Sequence, residues 1–80
     1  MINFYIDIVT TGANIKHLRQ NAGLSEKQLT EMIGISSIQA VYRWERGEAL
    51  PSIDNLMILS TIFNTPLDEI IVRRSFNDTL

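Results

Sequence analysis

The strongest structural signals of this chain lie in residues 25–47, SEKQLTEMIGISSIQAVYRWERG. Ser25 can cap a helix, and Gln28 three residues later completes an S-x-x-Q capping box. Gly34 then ends this helix, because glycine readily adopts the left-handed conformation found just beyond a helix C-terminus. The first part of the stretch therefore predicts a short helix that stops at a tight turn.

A second short helix follows the turn. Either Ser36 or Ser37 can cap it, and it is expected to run to about Arg46 and to end at Gly47. One of its sides is mainly apolar and should face a core; its members are Ile38, Val41, Trp44 and Glu45. The other side carries long polar side chains, namely Gln39, Tyr42, Arg43 and Arg46. Glutamine suits adenine and arginine suits guanine in a DNA major groove, although periodicity alone favours a merely solvated face.

Composition excludes several classes of function. The chain has 80 residues, 45% of them hydrophobic, which predicts one globular domain with a modest core. It has no cysteine, which excludes disulfides, cysteine-based zinc sites and thiol nucleophiles. His17 is the one histidine and has no partner at metal-binding spacing, so we expect a surface residue, no metal and no cofactor. The sequence contains no glycine-rich phosphate loop and no nucleophile–base pair at a suitable spacing, so we do not expect an enzyme.

The net charge and the hydropathy of the chain indicate whether it can bind nucleic acid or a membrane. The net charge of −2 mildly opposes nucleic-acid binding, because phosphate contacts need lysine and arginine. No apolar run approaches the roughly 20 residues of a membrane helix, and the N-terminus lacks the pattern of a secretory signal. We therefore expect a cytoplasmic protein with no membrane contact.

The flanking segments complete a five-helix prediction. Residues 1–10 alternate with strand period, but no second strand is evident in the chain. They are interpreted as an apolar arm packed on the helices; pairing with a second copy or a short helical lead-in are the alternatives. The next helix is capped by Thr10 or Thr11, buries Ile15, Leu18 and Ala22, and closes at Gly23.

Two more helices are predicted after the central pair. Ser52 should cap a helix over 53–63 whose apolar residues cover most sides, which suggests either a central core helix or a partner interface. Thr65 should cap the last helix, with Arg73 and Arg74 favoured near its C-terminus. The domain boundaries are an arm over 1–10, a helical domain over 11–72 and a C-terminal tail over 73–80. Candidates for a dimer surface are Ile58, Ile62, Val72, Phe76 and the arm.

Four motifs occur in a recognisable order: IKHLRQNAGLS at 15–25, QLTEMIGIS at 28–36, YRWERGEALPSIDNL at 42–56 and FNTPLDEI at 63–70. With them the sequence resembles the Cro/cI-type helix-turn-helix family, also called the XRE family. The third motif is the most specific, since it follows the family's W-E-x-G-x-x-x-P pattern. The resemblance implies an all-α, compact five-helix lambda-repressor-like domain with a short apolar N-terminal arm.

The resemblance also implies roles for individual residues. Gln39 and Arg43 match base-reading positions on a recognition helix over 38–46, and Ala40 between them is small enough to approach a thymine methyl group. Arg19 and Glu45 match an internal salt bridge between the first and third helices. The positions assigned to DNA contact are Ser25, Lys27, Gln28, Ser36, Ser37, Gln39, Ala40, Tyr42, Arg43 and Arg46.

Two departures from the family pattern concern the DNA-contacting region. One extra residue lies between Gly34 and Trp44, and it is expected to lengthen the turn around Ser36 and Ser37. Glu26 stands where many relatives carry a phosphate-binding glutamine, and a carboxylate there would repel phosphate.

The function implied is a sequence-specific double-stranded DNA-binding transcriptional regulator, a repressor acting as a homodimer on an inverted repeat. The alternative is a protein-interaction module of the same fold, such as an antitoxin or anti-repressor, which the acidic charge and Glu26 favour.

Overall fold

The computed structural model describes residues 3–76. Within them five helices and two short strands follow one another along the chain. In chain order they are β1 (Phe4–Ile6), α1 (Ile8–Asn21), α2 (Glu26–Ile33), α3 (Ile38–Glu45), α4 (Ile53–Phe63), α5 (Leu67–Ile70) and β2 (Arg73–Ser75). The prediction of five helices is confirmed, and the two strands are an addition to it.

A single hydrophobic core joins all five helices. Its buried members are Ile15, Leu29, Ile33, Val41, Trp44, Leu59 and Ile70. Four of them come from the central pair α2 and α3, and α1, α4 and α5 each contribute one. The core therefore anchors the two-helix unit of residues 25–47 in the domain.

The start of α1 differs from the prediction. Asp7, and not Thr10 or Thr11, caps the helix: its Oδ1 accepts a hydrogen bond from Thr10 N at 2.9 Å, and its Oδ2 accepts one from Thr10 Oγ1 at 2.8 Å. Thr11 is buried, and its hydroxyl accepts a hydrogen bond from Val72 N. Residues 8–10 thus belong to α1 and not to an arm. Ala22, expected in the buried stripe, is exposed at the helix end.

Both chain ends meet in a two-stranded antiparallel sheet, which we call the terminal ribbon (residues 4–6 and 73–75). Tyr5 pairs with Arg74 in its centre, and Asp7 N donates a hydrogen bond to Val72 O at 2.7 Å. The expectation that residues 4–6 lack a partner strand within the chain is therefore wrong, as is a tail beginning at residue 73. The part of the predicted tail over 77–80 lies outside the described residues, as do residues 1 and 2 of the predicted arm.

The helix α4 has its predicted bounds, whereas α5 ends at Ile70, so Arg73 and Arg74 lie in β2 and not near the C-terminus of a helix as predicted. Ser52 caps α4 as expected, accepting a hydrogen bond from Asn55 N. Burial of α4 on most sides is wrong, since Ile53 is 67% exposed and Met57 58% exposed. The cap of α5 is Pro66, one residue later than predicted, because the Thr65 hydroxyl donates instead to the Phe63 carbonyl.

Candidate nucleic-acid interface

The turn between α2 and α3 sets the orientation of the candidate reading helix. Gly34 has φ +84°, so it ends α2 in the left-handed conformation that only glycine adopts at little cost. Ser37, and not Ser36, caps α3 by accepting a hydrogen bond from Gln39 N at 3.2 Å. The turn between the two helices therefore runs from Gly34 to Ser37, and α3 begins at Ile38.

The inner side of α3 is locked by packing and by one ion pair. Val41 and Trp44 are buried in the core. Glu45 forms the predicted pair with Arg19, with Nε–Oε2 at 2.6 Å and Nη2–Oε1 at 3.1 Å. Both side chains are less than a tenth exposed. Because the guanidinium also donates to the Leu24 carbonyl at 2.9 Å, it ties α3 to the end of α1 and to the loop before α2.

Glu26 lies beside this ion pair. The carboxyl group is half-buried, and its pKa is raised first by burial, then by a hydrogen bond to the Glu45 carboxyl and by the charge of Glu45. Such a bond between two carboxyl groups needs a proton on one of them. Glu26 therefore interacts electrostatically with the interior pair of Arg19 and Glu45 at the start of α2.

A close backbone contact between α1 and α3 was missed from the sequence. A Cβ atom on Gly12 would lie 2.0 Å from the Trp44 carbonyl oxygen, so no larger residue fits there without movement of α1 or α3. Glycine is unfavourable in a helix interior, and its presence there is the signal that indicates close packing. Gly12 thus allows α1 to approach the end of α3.

The outer side of α3 has few internal contacts. Gln39, Arg43 and Arg46 are exposed, and Tyr42 is half-buried. Arg46 pairs with Glu48 at the surface, with Nε–Oε2 at 2.8 Å. Among the described residues the Arg43 side chain has no hydrogen-bond or ion-pair partner, so its guanidinium is available to a ligand. Ala40, expected beside the base readers, is half-buried and packs against the core.

The start of α2 adds polar donors next to this side. The capping box of Ser25 and Gln28 is present, with Gln28 N donating to Ser25 Oγ at 3.0 Å and Ser25 N donating to Gln28 Oε1 at 2.8 Å. This geometry leaves the serine hydroxyl proton and the glutamine NH₂ group free to donate outward. Lys27 is exposed between them. Donors at a helix N-terminus are suited to an anion.

The structure contains little that points to other chemistry. Residues 3–76 contain no group of three or more histidine or acidic side chains that could hold a metal ion. In the same span no helix is long and apolar enough to cross a membrane. His17 is exposed, as expected. The candidate site is therefore the exposed polar surface formed by α3 and the start of α2.

Comparisons with known proteins agree with this geometry. A family model described as helix-turn-helix matches residues 15–70. An HTH-type transcriptional regulatory protein of Pyrococcus furiosus is 41% identical over 56 residues, which are 70% of this chain and 18% of the relative. The HTH-type transcriptional activator BcrR of Enterococcus faecalis is 30% identical over 57 residues, 71% of this chain and 28% of the relative. The chain thus spans less than a third of the length of either relative.

Among solved structures, the DNA-binding domain of the P22 c2 repressor is similar over 79% of this chain and 82% of that chain. The TM-score is 0.70 and the sequence identity 28%.

Proposed function

Because the chain belongs to the helix-turn-helix family of the Cro/cI type, we propose that it is a sequence-specific double-stranded DNA-binding transcriptional regulator. One observation carries this proposal: the inner side of α3 is locked into the domain, while its outer side exposes Gln39, Arg43 and Arg46. A rigid helix with an exposed polar face is what direct readout of base edges requires.

In this mode α3 enters the major groove with its first turns against the bases. Gln39 suits the N6 and N7 edge of adenine, and Arg43 suits O6 and N7 of guanine. Within residues 3–76 the Arg43 side chain has no ion-pair partner, which supports its role, since no ion pair in this span must break before it contacts a base. Tyr42 lies one residue before it and reaches a base or a phosphate at the edge of the same face.

Phosphate contacts are assigned to the two ends of the unit. Ser25, Lys27 and Gln28 lie at the start of α2, where outward donors and the helix dipole favour a phosphate. Ser36 and Ser37 in the turn provide hydroxyl groups beside the same strand. Arg46 reaches the opposite side of the groove by exchanging Glu48 for phosphate, a small cost because the surface pair is more than half exposed on the arginine.

We further propose a homodimer on an inverted repeat, with half-sites one helical turn of ~34 Å apart or a multiple of it. Ile58 and Ile62, candidates from the sequence, pack against the core instead. Ile53 and Met57 replace them, because both are more than half exposed and lie one turn apart on α4. A contiguous exposed apolar patch is the usual mark of an interface, and Phe76, a further candidate from the sequence, is also 62% exposed.

Repression is the direction proposed, because an occupied operator blocks polymerase without any further contact. The similarity to the P22 c2 repressor domain supports repression, whereas the similarity to the activator BcrR opposes it. In-vitro transcription from a promoter that overlaps the bound site decides between them: less transcript with added protein supports repression, and more overturns it.

The decisive experiment is selection of bound sequences from random DNA with purified protein. We expect an inverted repeat, and an affinity that falls steeply as salt rises because phosphate contacts release counterions. A selection that returns no motif, together with salt-independent binding, would overturn the proposal and favour the protein-interaction alternative. Arg43→Ala tests base reading within the same experiment: it should broaden the motif at one position in each half-site.

A further inference from the structure

One large apolar side chain on α3 is not explained by the core. Val41 and Trp44 are buried, and the half-buried Ala40 packs against them. Ile38 is also half-buried, but among the described residues it is neither a core member nor one of the side chains packed on the core. An isoleucine of intermediate exposure at the first position of a helix keeps part of its apolar surface accessible to a ligand.

Ile38 lies at the border of the reading face. At about 100° of rotation per residue, it is about 40° from Tyr42 around the helix and about 100° from Gln39. It is about 60° from Val41 on the other side, so it separates the core face from the exposed face. The Cα–Cβ bonds of a helix tilt toward its N-terminus. The Ile38 side chain therefore extends toward the end of α3 that enters the groove in the proposed complex.

The chemistry of isoleucine limits what it can contact there. The major-groove edges of the bases are hydrogen-bond donors and acceptors, except for the 5-methyl group of thymine. An isoleucine against a donor or acceptor would desolvate that group without replacing its hydrogen bond, which is unfavourable. Against a thymine methyl, both apolar surfaces leave water together. Adenine, which suits the neighbouring Gln39, brings a thymine on the opposite strand.

We infer that Ile38 is a specificity residue that reads the 5-methyl group of a thymine close to the base contacted by Gln39. The inference rests on the proposed function and deepens it by naming an apolar contact. It also reassigns the thymine contact from Ala40, whose methyl group packs partly against the core.

The test uses the protein with its selected DNA site. Each thymine of one half-site is replaced in turn by deoxyuridine, which removes only the 5-methyl group. We expect one position at which the wild-type protein loses affinity about threefold to fivefold, the effect of burying one methyl group. Ile38→Ala should bind the thymine and uracil sites at that position equally well. Ile8→Ala, a matched change at an exposed isoleucine of α1, should keep the full difference.

The outcomes separate the inference from the proposed function. If selection returns no motif, the proposed function fails and no half-site exists to modify. If a motif is found but no thymine methyl affects wild-type binding, the Ile38 contact is overturned without recourse to any variant. If the methyl effect persists in Ile38→Ala, another residue reads it and the inference is likewise overturned. Thermal unfolding of each variant verifies that the proteins compared are folded.

Discussion

The two sides of α3 are held by different forces, although they share eight residues of helix. The inner side is buried: Val41 and Trp44 fill the core, and Glu45 forms a bidentate ion pair with Arg19. The outer side is exposed, and Arg43 has no ion-pair partner in the described part of the chain. Stability and recognition are thus separated within one short helix. Changes on the inner side should therefore affect folding, and changes on the outer side should affect binding.

The largest effect is expected for Glu45→Ala. It leaves the Arg19 guanidinium buried and without its charged partner, which costs about 3–5 kcal/mol of unfolding free energy. That loss is a large part of the stability of a domain of this size. Urea denaturation of the variant and the wild type measures this loss of unfolding free energy. Glu48→Ala is the matched control, because it removes an exposed partner of Arg46 and should cost no more than about 1 kcal/mol. Equal losses for the two variants would contradict a locked inner side.

Gly12→Ala tests the backbone contact behind α3. Alanine is favoured over glycine in a helix by about 1 kcal/mol, so propensity alone predicts a more stable protein. The new Cβ atom would instead meet the Trp44 carbonyl oxygen, and we expect a net loss of about 1–3 kcal/mol. Thermal or urea unfolding shows whether the unfolding free energy rises or falls. An increase in stability would show that α1 and α3 are not packed this closely. Ala13→Gly, at the adjacent exposed position, should show the ordinary loss from propensity.

Arg43→Ala addresses the outer side. The affinity for the selected DNA site should fall by about 1–3 kcal/mol, or roughly tenfold to a hundredfold, while the unfolding free energy changes by less than about 0.5 kcal/mol. Fluorescence anisotropy with labelled DNA measures the first quantity and urea unfolding the second. The separation of the two sides would be refuted by a large loss of stability in this variant. Arg46→Ala should weaken binding to all sequences alike.

Ser37→Ala tests the residue that caps α3, at the point where both sides of this helix begin. Removing the cap of α3 should cost about 1 kcal/mol, because the Gln39 amide loses its acceptor. Ser36→Ala is the matched control and should be nearly neutral for stability, since Ser36 does not cap α3. Denaturant unfolding measures the unfolding free energy of each variant against that of the wild type. A larger effect at Ser36 would show that Ser36, and not Ser37, caps α3.

Glu26 gives the smallest effect, a pH dependence at the edge of the inner side. Its pKa is raised above the ordinary 4.5, so the folded protein binds this proton more tightly than the unfolded chain. The resulting stability is fully present below about pH 4.5 and is lost as pH rises through the raised pKa. Unfolding measured across this window should show the decline for wild type. Glu26→Gln, which stays neutral and can still donate to Glu45, should be the more stable of the two at high pH.

The central unit was largely predictable because its signals are local. The capping box of Ser25 and Gln28, the end of α2 at Gly34 and the cap of α4 at Ser52 each depend on residues within one turn. Resemblance to a family added the Arg19–Glu45 pair, which spans 26 positions and has no local signature. The outer face of α3 followed from helical spacing, but its availability to a ligand did not. That required knowing which side chains the core occupies, and Ile38 and Ala40 were both misplaced for this reason.

The set of helices and the polar strip on α3 follow from local sequence, because helix periodicity and caps act within a few residues. The terminal ribbon, in contrast, emerges only when the whole domain packs. Its strands are three residues each and lie at opposite ends of the described chain, so neither carries a signal about the other. The same holds for Gly12 against α3 and for Glu26 beside Glu45, which become neighbours only when the helices pack. Contacts between distant residues depend on the packing of the whole domain, and that packing turned one polar strip into an exposed face on a locked helix.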